Sequence, residues 1–274
     1  MIALSAFADE ISPDLDEQLA VLRVEGLRYL DLRSVWQTNV LDLSEQQLSL
    51  VRDRLRADGI AVSCIASPIG KVPIDASFDE HVDHFERALR LARFFETPYL
   101  RLFSFYPAAG THDPPDREAV LYRLRELTAR ARAAAITLLH ENEKGIFGDT
   151  AARCLELLNG VHDSRFQAVF DPANFIQCGE EPFPWAFQLL RPWLRYVHVK
   201  DARTDGTVVP VGEGVANWPS ILGQLRATGY EGFLSLEPHL AEASQFGGFS
   251  GAERFHHAAE ALKTLLSNLG WEYR

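Results

Sequence analysis

Residues 136–175 read ITLLHENEKGIFGDTAARCLELLNGVHDSRFQAVFDPANF, and this stretch sets the fold class. ITLLHEN (136–142) is a short apolar run, the length of a strand and too short for a buried helix. Asp149 or Thr150 then offers a helix N-cap, and the amphipathic run that follows ends near Gly160. RFQAVFD (165–171) is a second strand. Strand, helix, strand in that order is a crossover unit and argues for parallel pairing. Each strand closes on a carboxylate, Glu141 and Asp171, and Pro172 stops the second ladder.

The same unit recurs on both sides. Strands are predicted at 2–8, 27–34, 60–67 and 98–105 before it, and at 194–201 and 232–238 after it. Ser12 with Pro13 opens the first helix, and Gly26 closes it. Ser44 with Gln47 forms a capping box for the second, which Gly59 ends. Further helices are expected at 77–96, 116–135, 184–190, 217–228 and 250–269. Eight βα units in 274 residues argue for one closed (β/α)8 TIM barrel, a fold of typically ~250 residues. The glycine-rich turn of a dinucleotide-binding sheet is missing after the first strand. No linker or composition shift divides the chain, so residues 1–274 are expected to form a single domain. The irregular stretches 68–76, 105–115, 142–149, 172–183 and 201–216 all follow strands, on the face where barrel enzymes carry their sites.

Bulk composition narrows the chemistry. The chain is 47% hydrophobic, with 27 basic and 38 acidic residues and a net charge of −11. An acidic chain without a basic patch disfavours a nucleic-acid partner. The Arg-rich stretch 123–132 is spaced as a solvated helix face. Three cysteines, Cys64, Cys154 and Cys178, make no disulfide framework, and a reducing, cytoplasmic compartment is expected. MIALSAFADEIS lacks the basic start and long apolar core of a signal peptide, and no apolar run is long enough to span a membrane.

Four strand ends carry residues of metal-ligand type. Glu141 and Asp171 are joined by His198 in LRYVHVKDA and Glu237 in GFLSLEPH, at intervals of 30, 27 and 39 residues. A carboxylate ending an apolar strand is costly to bury without a cation or hydrogen-bond partner. Four consecutive strands of one barrel bring such residues to one end. Three carboxylates and one imidazole suit Mn²⁺, Mg²⁺, Co²⁺, Fe²⁺ or Zn²⁺. The oxygen majority leans toward Mn²⁺ or Mg²⁺, with Mn²⁺ preferred. A single dication there would polarise a carbonyl and stabilise an enediolate.

The Glu/Asp/His/Glu set, the DPANF turn, HVKDA, GEG followed by Trp218, and LSLEPH together resemble the xylose isomerase-like TIM-barrel superfamily. That group includes sugar epimerases, keto-inositol isomerases, inosose dehydratases and apurinic endonucleases. The resemblance covers nearly the whole chain and is strongest from Leu138 to His239. It implies that Glu141, Asp171, His198 and Glu237 bind one divalent metal. In the ketose 3-epimerases the two Glu ligands also act as the acid/base pair, which falls here on Glu141 and Glu237. The sequence departs from those epimerases at Asn174, where they carry His, and at Thr204, where they carry Arg, with Arg203 adjacent. HVKDA and GEG look closer to the inositol-pathway and uncharacterised isomerase branches. Relatives often form dimers or tetramers, so the resemblance admits a homo-oligomer.

Other residues are candidates for substrate contact: Lys71, Arg101, Glu143, Asn174, Lys200, Arg203 and Glu213. Lys200 shares a strand face with His198. Arg101, a charge inside a strand, needs Glu143, Asp31 or a substrate oxygen as partner. Phe7, Trp36, Phe103 and Phe175 are candidates for an apolar wall, and His239 for orienting Glu237. The expected activity is a metal-dependent isomerase or epimerase of a small keto-sugar or polyol in carbohydrate metabolism. An inosose-dehydratase-like lyase using the same metal site is the alternative. An apurinic endonuclease lacks its extra histidines here, and a non-catalytic sugar-binding barrel has no reason to keep all four ligand types.

Overall fold

The computed structural model describes residues 1–240 and 250–274. Eight parallel strands form one sheet. They are β1 (Ala3–Ala6), β2 (Tyr29–Leu32), β3 (Ala61–Ile65), β4 (Tyr99–Leu102), β5 (Thr137–Glu141), β6 (Phe166–Phe170), β7 (Leu194–Val199) and β8 (Phe233–Leu236). Their order in the sheet is β1-β8-β7-β6-β5-β4-β3-β2, the nearly closed barrel of a (β/α)8 fold. β1 and β5 are buried along their whole length, as expected of strands covered on both faces. The chain packs as two compact units, residues 1–63 with 196–274, and residues 64–195.

In the first unit β8 lies between β1 and β7, with Ser235 in register with both Ser5 and His198. Helices α1 (Leu15–Val24) and α2 (Glu45–Ala57) follow β1 and β2. The Ser44–Gln47 capping box is present at the start of α2. The start of α1 differs from the sequence expectation. Asp14, not Ser12, is its N-cap and accepts from Asp16 and Glu17 backbone N–H groups. Ser12 Oγ instead accepts from Asp14 N at 3.1 Å and bonds Glu17. A carboxylate at the cap also complements the helix dipole. Buried Asp31 on β2 accepts from Ser5, Ser235 and Tyr196, the last at 2.8 Å, so it is a satisfied core carboxylate.

In the second unit β5 runs between β4 and β6, with Glu141 opposite Val169. Helices α3 (Phe78–Phe94), α4 (Arg117–Ala133) and α5 (Ala151–Val161) follow β3, β4 and β5. α5 ends at Val161, as the sequence predicts, and Gly160 lies in its last turn. A Cβ there would stand 2.6 Å from the Leu121 side chain of α4, so close helix packing accounts for the glycine. Residues 172–177, expected as irregular, form α6 (Pro172–Gln177) with Asp171 as N-cap and Pro172 at the first helical turn. Short helix α7 (Phe187–Leu190) precedes β7 in sequence. Back in the first unit, α8 (Trp218–Ala227) and α9 (Gly251–Asn268) flank β8 in sequence. Among the described residues no helix is long and apolar enough to cross a membrane.

Candidate functional site

The first unit supplies His198 and Glu237. His198 sits near the C-terminal end of β7, and Glu237 directly follows β8. Glu237 N donates to Val199 O at 3.2 Å, which continues the ladder one residue past the strand. The side chains meet: His198 Nδ1 is 3.4 Å, and Lys200 Nζ 3.5 Å, from Glu237 Oε2. Both residues are buried, and the Phe7 ring packs edge-on against His198 at 5.0 Å.

Arg33, one residue past β2, binds the other oxygen. Its Nη1 is 3.0 Å from Glu237 Oε1, its Nη2 is 2.7 Å from Glu10 Oε1, and its Nε is 2.7 Å from Asp9 Oδ2. The guanidinium lies over the Phe7 ring at 4.7 Å. Burial alone would raise the Glu237 carboxyl. Lys200, His198, His239 and Arg33 outweigh it and hold the group well below the usual carboxylate range. Glu10 goes the other way. Burial, Glu237 and Asp9 push it up to about 7 against the pull of Arg33.

The loop after β7 is organised by Asp201. Its buried carboxylate accepts backbone N–H bonds from Ala202, Gly212, Gly214 and Ala216 at 2.8–3.2 Å. A Cβ at Gly214 would stand 2.1 Å from Asp201 Oδ1, so GEG is spaced for this cage. Glu213 points elsewhere: it is exposed and pairs with His257 Nε2 at 3.3 Å. Arg203 is exposed at the tip of the short hairpin Asp201–Ala202/Val208–Val209.

The second unit supplies Glu141 and Asp171. Glu141 ends β5, Asp171 follows β6, and an amide clamp fixes their spacing. Asn142 Nδ2 donates to Asp171 O at 2.9 Å, and Asp171 N donates to Asn142 Oδ1 at 3.0 Å. Asn174 N donates to Asp171 Oδ1 at 3.0 Å. The Asn174 amide group donates to Asn142 O at 2.9 Å and reaches Glu141 Oε1 at 3.4 Å. All four residues are buried.

Arg101, inside β4, has Glu141 as a carboxylate partner, a pairing the sequence did not single out. Its Nη1 is 3.0 Å from Glu141 Oε2, and its Nη2 donates to Ala66 O at 3.1 Å. Glu143 pairs with Lys71 Nζ at 2.9 Å. Both cations stack on Phe103, Lys71 at 4.3 Å and Arg101 at 5.0 Å. Lys71 is placed by the loop before it. Gly70 has φ +87°, and a Cβ there would stand 2.1 Å from Phe103 O. Gly70 N donates to His81 Nε2 at 3.2 Å, which requires a neutral imidazole, and burial holds the His81 pKa down at about 4.

Glu141, Asp171, His198 and Glu237 are thus all buried, and this set of three carboxylates and one imidazole could hold a metal ion. The donor set fits a divalent ion that prefers oxygen and accepts one nitrogen. Sequence reasoning missed Arg33, Asp9, Glu10 and Asn142. The available signal was a polar residue soon after a strand end: Arg33 and Asn142 stand one place past β2 and β5, and Asp9 and Glu10 three and four places past β1.

Residues 20–265 match the family described as xylose isomerase-like TIM barrel. A curated relative, 3-dehydroshikimate dehydratase of Bacillus anthracis, is 23% identical over 228 residues, covering 74% of this chain and 79% of its own. Among solved structures, a D-tagatose 3-epimerase-like protein superposes with a TM-score of 0.77 at 14% identity, covering 98% of each chain. A xylose isomerase-like TIM barrel protein from Mycobacterium smegmatis in complex with magnesium gives a TM-score of 0.71 at 18% identity, covering 97% of each chain.

Proposed function

The chain belongs to the xylose isomerase-like TIM barrel family, and from that premise we propose that it is a divalent-metal-dependent isomerase or epimerase of a small keto-sugar or polyol. Glu141, Asp171, His198 and Glu237 hold one ion, Mn²⁺ or Mg²⁺ by ligand type. When bound, that ion supplies a Lewis acid for a substrate carbonyl. Glu141 and Glu237 are the proton-transfer pair. The observation that carries the reading is that each of these buried carboxylates has its own cationic partner, Arg101 on Glu141 and Arg33 with Lys200 on Glu237. Such pairing keeps a buried carboxylate ionised, the form that can take a proton from carbon.

The remaining residues serve the substrate. Asn174, Arg101 and Lys200 lie against the two bases and can bind hydroxyl or carbonyl oxygens beside them. Lys71 and Glu143, a partly exposed pair, contact the far end of the substrate. Arg203 and Glu213 belong to the loop after β7 and act only if that loop approaches the bound compound. The three free cysteines fit a cytoplasmic protein.

A second reading, a dehydratase, is favoured by the curated relative, which carries that activity by name. Both reactions begin with removal of a proton next to a carbonyl. They separate when the metal-loaded protein is incubated in D₂O with a keto-hexose, a keto-inositol and 3-dehydroshikimate, followed by mass spectrometry. Deuterium uptake without loss of water marks the isomerase, and loss of water marks the dehydratase. No deuterium and no mass change with any of the three would refute both.

A further inference from the structure

We propose that Arg33 occupies the place of a second dication, orienting Glu237 and keeping the metal centre mononuclear. This assignment rests on the metal reading above. Glu10, Glu237 and His239 offer three ligand atoms that all lie within 4.8 Å of one another. His239 Nε2 is 3.2 Å from Glu10 Oε1 and 3.8 Å from Glu237 Oε1. Ligand atoms around a dication with bonds of about 2.1 Å stand roughly 3–4 Å apart, so this spacing suits one. Yet the two carboxylate oxygens concerned, Glu10 Oε1 and Glu237 Oε1, are those that Arg33 Nη2 and Nη1 bind. A dication on those same oxygens would stand against the guanidinium, positive charge beside positive charge.

The surroundings are built for a fixed cation. Ser250 Oγ donates to Glu10 Oε2 at 3.2 Å, and Ser34 Oγ bonds Asp9 Oδ2, so two of the three carboxylates are also held by hydroxyl groups. The Phe7 ring lies beneath the guanidinium. A planar fork puts donors on three separate nitrogens, one toward each carboxylate, whereas a lysine's three donors share one nitrogen. With Oε1 of Glu237 given to Arg33, Oε2 remains on the side of His198 and Lys200. Arg33 is therefore a positioning residue for Glu237, and it determines how many metal ions the carboxylates take.

The test is a metal count. Wild-type protein and the variants R33A, R33Q and R33K are equilibrated with Mn²⁺ and desalted, and Mn per chain is measured by inductively coupled plasma mass spectrometry. R33A and R33Q are expected to carry one equivalent more than wild type, and R33K none. The double variant R33A/H239A should return to the wild-type count. The series is repeated with D171N added, so that loss of the first ion cannot mask gain of the second. Mn²⁺ should also raise the melting temperature of R33A and R33Q more than that of wild type. The proposal is overturned if folded R33A and R33Q gain no ion, or if the extra ion survives in R33A/H239A. Wild-type protein holding no Mn²⁺ would instead sink the metal reading, while the difference between R33A and wild type still reports on Arg33.

Discussion

His81 gives a prediction whose sign and size both follow from the structure. The imidazole is buried on α3 and accepts the Gly70 N–H at 3.2 Å. Burial first, then Arg123 and His84, lower its pKa from 6.5 to about 4. The unfolded chain therefore takes up this proton before the folded one does. Stability is complete above about pH 6.5, falls as the pH drops toward 4, and changes no further below that. Each pH unit between the two pKa values is worth about 1.4 kcal/mol. The loss from this one group is about 1.4 kcal/mol at pH 5.5 and about 2.6 kcal/mol at pH 4.5. His81→Gln removes the titration and keeps an oxygen that can accept from Gly70. Urea denaturation of both proteins at pH 7.0, 5.5 and 4.5 measures the difference. Other titrating groups, including buried His140 with its pKa also lowered to about 4, act on both proteins and cancel. Wild type should lose ground against the variant by the stated amounts. A stability gap that stays the same from pH 7.0 to 4.5 would refute the neutral-acceptor assignment.

Three further outcomes are expected. Asn142→Ala removes both bonds to the Asp171 backbone and should weaken Mn²⁺ binding by roughly 10–100-fold in isothermal titration calorimetry, with the fold intact by circular dichroism. Asp201→Asn turns an amide NH₂ toward N–H groups that now meet a carboxylate; a loss of about 3 kcal/mol is expected in chemical denaturation. Chelation of the metal should lower the melting temperature, and adding Mn²⁺ at about 100 times its dissociation constant should restore roughly 2.7 kcal/mol; an unchanged melting temperature with chelator would count against a metal centre.

The parallel barrel was legible because its strands are short apolar runs at nearly regular spacing, a signal carried by each segment alone. The positions of Glu141, Asp171, His198 and Glu237 could be read for the same reason, since the end of an apolar run marks the end of a strand. What escaped was every contact that depends on pairing distant segments. Arg33 meets Glu237 across 204 residues of sequence, and Asn142 meets Asp171 across 29. Each stands one place past a strand end, a local mark that many ordinary loop residues share. Arg101 was correctly seen to need a carboxylate, but its pairing with Glu141 depends on strand register, which composition does not reveal. GEG drew attention to Glu213, whereas the glycines are what matter, because they let backbone amides reach Asp201.

The two carboxylates proposed for proton transfer are not equivalent, and their partners say how. Glu237 carries Arg33 on one oxygen, with Lys200 and His198 near the other, and is held well below the usual carboxylate range. Such a strongly stabilised anion is a good metal ligand but a weak base, because the charge that keeps it ionised also lowers its proton affinity. Glu141 has Arg101 at 3.0 Å from Oε2 and the Asn174 amide at 3.4 Å from Oε1. On the proposed reading, Glu237 is therefore the better anchor for the ion, and the first base falls to Glu141. Asymmetry of this kind suits a reaction that removes a proton on one face and does not need an equally strong base on the other. A symmetric epimerisation has the opposite requirement. The balance between isomerase and dehydratase therefore turns on Glu237. If E237Q retains deuterium exchange at the substrate carbon while E141Q loses it, the chemistry is one-sided and the lyase reading gains. If both variants lose exchange to the same degree with metal still bound, the two carboxylates work as a pair and the epimerase reading stands.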